Sequence, residues 1–60
     1  IADVYLAIPG RMQGKGKIMV SLNGSVREID AMTEQEKIET NATVKIKRVE
    51  SGNILIVEKL

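Results

Sequence analysis

The stretch Gly14–Thr33, GKGKIMVSLNGSVREIDAMT, decides the fold. Ile18, Val20 and Leu22 alternate with Lys17, Met19 and Ser21, the period of a half-buried strand. Asn23-Gly24 follows, and both residues tolerate the positive φ that a tight hairpin turn needs. Val26 to Thr33 then returns as the second arm. In that arm Val26 and Ile29 stand three apart, so strict alternation would point them to opposite faces. A β-bulge at Arg27-Glu28 is therefore expected, bringing both inward and coiling the strand.

Working outward, Ala2–Ile8 reads as an earlier strand with Val4, Leu6 and Ile8 on one face and Asp3, Tyr5 and Ala7 on the other. Pro9-Gly10 ends it, since proline cannot continue a ladder and glycine permits the turn. Arg11–Lys15 reads as an exposed loop. Thr33-Glu34-Gln35-Glu36 fits a capping box and could open one helical turn through Ile38, but no amphipathic pattern follows and a polar loop is the better reading. After a turn at Glu39–Asn41, Ala42–Val49 gives a strand with Val44 and Ile46 inward and Lys45 and Lys47 outward. A second bulge near Lys47-Arg48 would restore the phase of Val49. Glu50–Asn53 makes a turn. Ile54–Glu58 is apolar on both faces, as suits a strand with little solvent on either side.

Five short strands call for a sandwich or a barrel, and 60 residues are too few for a seven-stranded sandwich. The expected fold is all-β, a small five-stranded barrel whose closure removes its sheet edges. The expected inward set is Val4, Leu6, Ile18, Val20, Ile29, Val44, Ile46, Leu55 and Val57. A single domain spans residues 1–60. The chain opens on Ile1 rather than Met, which reads as part of a longer protein. No apolar run approaches the ~18 residues of a spanning helix.

Composition narrows the chemistry. The chain has no cysteine and no histidine, so neither a thiolate site nor an imidazole base is at hand. Ser21, Ser25 and Ser51 lack an activating partner, and the lysines read as solvated outer-face positions whose pKa burial would not lower. No catalytic, metal or cofactor residues are expected, and the chain reads as no enzyme. Asp30 reads as a carboxylate bonded to a turn backbone rather than as an acid or a metal ligand. Gly14-Lys15-Gly16-Lys17 lacks the second half of a phosphate-binding loop. Ala31-Met32 lacks the lysine of a biotin or lipoyl carrier, because Thr33 stands in its place.

Nucleic acid is the main rival function. Single-strand sites stack bases on aromatic side chains over a basic groove. Here Tyr5 is the one aromatic residue and the net charge is +1. Lys45, Lys47 and Arg48 make a basic stripe, as do Arg11, Lys15 and Lys17, but acids such as Glu28, Glu39 and Glu50 lie nearby. A solvated strand face is the better account, and nucleic-acid binding is not expected. For a protein partner, Tyr5, Met12 and Met19 are the candidate residues, since methionine adapts readily to contact surfaces.

Across nearly its whole length the chain resembles the C-terminal soluble domain of NfeD-like proteins. The resemblance rests on Gly16-Lys17-Ile18, the Asn23-Gly24 turn, Glu28-Ile29-Asp30-Ala31-Met32-Thr33, the alternating Val44–Val49, and Leu55-Ile56-Val57. One departure is Asn41, where the family often has glycine; asparagine is the next most tolerant of positive φ. The resemblance implies a five-stranded OB-fold barrel at the end of a membrane-anchored parent, soluble on the cytoplasmic face. It implies a non-catalytic interaction module associated with stomatin/flotillin-like scaffold partners and membrane quality control, with oligomeric state open. The alternative is an OB-fold domain that binds single-stranded nucleic acid.

Overall fold

In the computed structural model, which describes residues 1–50 and 52–60, five strands close into a barrel. They are β1 (Ala2–Leu6), β2 (Gly16–Leu22), β3 (Ser25–Met32), β4 (Thr43–Glu50) and β5 (Ile54–Lys59). Their order around the barrel is β1-β2-β3-β5-β4, an OB-fold-like arrangement. There is no helix among the described residues. Four seams are antiparallel. The fifth, β3 to β5, is parallel and short, matching only Ala31 with Leu55 and Met32 with Ile56.

The opening hairpin forms as its residues demand. β2 and β3 pair without interruption from Gly16–Ala31 to Leu22–Ser25. Asn23 and Gly24 take φ of 50° and 82°, the left-handed pair of a type I′ turn whose twist matches that of the strands. The bulge expected at Arg27-Glu28 is therefore absent. Val26 keeps strict alternation and is 63% exposed, while Ile29 packs against the core.

The second expected bulge is present, between Ile46 and Arg48 on β4. It sets Val49 opposite Leu55, on the face that Ile46 also shares. Both are nonetheless exposed. β4 pairs with β1 only at Ala2–Val44 and Asp3–Thr43, so beyond Val44 it runs past the end of β1 and is left uncovered. Ile46 thus leaves the expected inward set. Leu6 leaves it as well, for a different reason. The β1–β2 register shifts between Val4 and Leu6, which turns Leu6 outward beside Tyr5, each 49% exposed, and returns Ile8 to the interior.

The core holds Val4, Ile18, Val20, Ala31, Val44, Leu55 and Val57, with Ala2, Ile8 and Ile38. Ile8 and Ile38 close one end. Their backbones exchange hydrogen bonds of 2.9 and 3.0 Å, tying the β1–β2 loop to the β3–β4 loop with both side chains fully buried. Arg11 and Met12 extend this stitching by donating their amides to the carbonyls of Gln35 and Thr33, each at 2.7 Å. Residues 33–38 form a loop and not a helical turn. Thr33 is fully buried, and its hydroxyl accepts the Gln35 amide at 3.2 Å, as an N-cap would, but the carbonyls of Thr33 and Gln35 accept from Met12 and Arg11 and so are not left for a following helical turn. Asn41 takes the expected positive φ, 74°. β5 is buried on both faces through Leu55, Ile56 and Val57. The β3–β4 loop crosses its outer side, where Gln35 reaches Glu58 at 3.4 Å.

Candidate interaction surfaces

Two of the three candidate contact residues share a face. Met19 lies opposite Asp3 in the β1–β2 ladder, and Tyr5 follows two positions along β1, so the pair are diagonal neighbours on the outer face. Met12 is placed apart from them. Its amide is tied to Thr33 at the end of β3, and it sits in the loop with φ 58°. Leu6 takes its place beside Tyr5, opposite Lys17. Sequence alternation hid Leu6 because the bulge that turns it out replaces no recognisable residue.

The charged residues answer one another. Lys17 and Asp30 are direct cross-strand partners, with the lysine Nζ donating to the carboxylate at 2.8 Å and Lys15 approaching the same group at 3.9 Å. Asp30 is thus an ion-pair partner and not a turn-capping carboxylate. The hydrogen bond from Lys17 holds the Asp30 carboxyl below its ordinary value, and the same bond holds the lysine above its own.

A second cluster joins β4 to the β3–β4 loop. Glu34 accepts from Arg48 Nη2 at 2.8 Å and from Lys47 Nζ at 3.2 Å. The Arg48 bond, then the Lys47 bond, pull the Glu34 carboxyl down from 4.5 to about 2. Arg48 also donates to Glu50 at 2.6 Å and is held above its ordinary value by both carboxylates. Lys45 pairs with Glu58 at 3.5 Å. The stripe of Lys45, Lys47 and Arg48 is therefore neutralised residue by residue. Among the described residues, only Arg27 and Lys59 of the nine cations stand outside an ion pair.

An open cleft of about 690 Å³ lies where the β2–β3 hairpin faces the β4–β5 turn. Leu22, Ile29, Val49 and Leu55 supply its apolar wall, and Arg27, Glu28 and Asp30 line it from β3. Sequence reasoning missed this cleft, because it arises from two hairpins that outrun their neighbours and no local motif announces that. A second hollow of about 480 Å³, lined mostly by charged side chains, lies over the β3–β4 loop between Arg11 and Lys59. Among the described residues no three carboxylates converge as a metal site would need, and no helix is long and apolar enough to cross a membrane.

No family model, no curated protein and no solved structure matches the chain.

Proposed function

We propose that this barrel is a non-catalytic protein-interaction module, the soluble C-terminal domain of an NfeD-like membrane protein. The order of its motifs supports the family reading, from Gly16-Lys17-Ile18 through Glu28–Thr33 to Leu55-Ile56-Val57. The family reading brings a stomatin/flotillin-like scaffold as the partner, a membrane-anchored parent and a cytoplasmic location for this domain.

The observation that carries the module reading over its rival is the pairing of the charges. Single-strand binding by an OB-like barrel depends on cations free to displace counterions and on aromatic platforms. Here the β4 cations are engaged by Glu34, Glu50 and Glu58, and Tyr5 is the one aromatic residue. What the surface offers instead is apolar: exposed Tyr5 and Leu6 with half-buried Met19 on the β1–β2 face, and Leu22 and Val49 at the hairpin tips. Catalysis is not part of the proposal, since the described lysines of β2 and β4 are salt-bridged and no histidine or cysteine is present.

The rival rests on the OB-like topology itself, which many single-strand binders share. Fluorescence anisotropy with labelled single-stranded oligonucleotides at ~150 mM salt separates the two. The module reading expects no saturation at micromolar protein. Micromolar or tighter binding, weakened when Lys45, Lys47 and Arg48 are replaced by Glu, would establish the rival.

A further inference from the structure

The barrel is closed, yet besides the far end of β4 beyond Val44 a second long strand edge in it is bare. β3 is paired with β2 along its whole length, but β5 reaches it only at Ala31 and Met32. The outer edge of Ser25–Asp30 has no backbone partner among the described residues. Every second residue of such an edge turns its amide and carbonyl outward, and this is the template on which an extended peptide adds as a strand. The bare edge borders the 690 Å³ cleft, so backbone pairing and side-chain contact are available at one place.

The side chains state what would fit. Arg27 and Ile29 lie two positions apart and share the inner face of the hairpin, opposite Val20 and Ile18. Arg27 is one of the two cations outside an ion pair among the described residues, and Ile29 adjoins the exposed Leu22 and Val49 in the cleft wall. On the opposite face Glu28 and Asp30 present carboxylates. We infer that this edge docks an extended segment of a partner protein as a sixth strand. The segment would carry a carboxylate against Arg27, an apolar side chain two positions away against Ile29, and a basic residue between them against Glu28.

A second copy of this chain is the poorer occupant. Antiparallel pairing about a two-fold axis opposes residues of the same parity, because directly opposed side chains share a face. Centring the axis on Arg27 or Glu28 opposes like charges, and centring it on Ile29 sets Glu28 against Asp30; each is destabilising. Centring it on Val26 runs Ile29 opposite the Asn23-Gly24 turn, which cannot pair.

The inference rests on the protein-interaction reading but not on the scaffold as partner or on the Tyr5–Met19 face. Its test is NMR titration of the isotopically labelled domain with the peptide acetyl-TVKEKVT-amide, whose pattern is the same in either strand direction. The control is acetyl-TVKKKVT-amide. The inference expects shift changes confined to Leu22, Ser25–Asp30, Val49 and Leu55, and slowed amide exchange along Ser25–Asp30. Because one exposed ion pair is at stake, the glutamate peptide should bind about 2- to 5-fold more tightly than the control. Arg27→Glu should reverse that order, and Val49→Lys should weaken both peptides, with circular dichroism verifying the fold of each variant. Shifts centred on Tyr5 and Met19, no binding at millimolar peptide, or an order unmoved by Arg27→Glu would each overturn it. Failure of both peptides to bind a domain that still binds the scaffold would overturn this inference while leaving the module reading in place.

Discussion

Gly16→Ala probes how tightly the start of β2 is wedged against the loop that leads out of β1. A methyl group built on Gly16 would lie 2.5 Å from the carbonyl oxygens of both Leu6 and Ala7 and 2.7 Å from Ile8 Cγ1. Restoring the ~3.3 Å of a tolerable carbon–oxygen contact moves that backbone by roughly 0.8 Å. The segment cannot yield freely, since Ile8 is bridged to Ile38 and both are fully buried. Overpacking of this kind costs about 1–3 kcal/mol, and the backbone obstacles put Gly16→Ala at the upper end. A domain this small rarely holds more than ~3–5 kcal/mol, so the variant should lose most of its stability. Urea titration by far-ultraviolet circular dichroism is the assay, with Gly14→Ala as control. There the three atoms nearest the new methyl all belong to the Pro9 ring, the first at 3.1 Å, and a loss of less than about 1 kcal/mol is expected. If Gly16→Ala also loses less than about 1 kcal/mol, the wedge between β2 and residues 6–8 is not as described.

Other expectations follow from the same structure. Ile18→Ala, fully buried, should cost about 2–5 kcal/mol, whereas Ile46→Ala should cost less than about 1 kcal/mol; equal losses in denaturant titration would contradict the uncovered end of β4. The Glu34 carboxyl is lowered in the folded protein, so its contribution is present above the ordinary value of 4.5 and is lost as pH falls through about 2. Unfolding midpoints should therefore decline across that window, with Asp30 adding in the same direction. The decline should be shallower in Glu34→Gln and at high salt, where exposed charges are screened. A profile unchanged by Glu34→Gln would remove the Arg48–Glu34–Lys47 cluster from the account.

The sequence made some of this legible. The Asn23-Gly24 turn, the five strands and the bulge before Arg48 follow from local period and turn chemistry, which act on neighbouring residues. What stayed hidden was decided by distant partners. Val26 and Ile29 break alternation on paper, but the ladder to β2 keeps its register and leaves Val26 outside. Leu6 alternates correctly with Val4 until the chain bulges to meet Lys17. Asp30 finds its lysine across the hairpin, at a register no single strand displays. Of the candidate surface, Tyr5 and Met19 could be read from alternation alone. Met12 could not be placed, because its position depends on a hydrogen bond to Thr33. The cleft beside Arg27 depends on how far each hairpin outruns the strand next to it.

The claim that this barrel recognises a protein is tested most directly by calorimetric titration of the purified domain with a purified stomatin-type scaffold domain at ~150 mM salt. The account predicts saturable binding, weakened by Tyr5→Asp and Met19→Asp, which leave the core residues untouched. No binding heat at any accessible concentration, from a domain that holds single-stranded oligonucleotide at micromolar affinity in the same buffer, would contradict it.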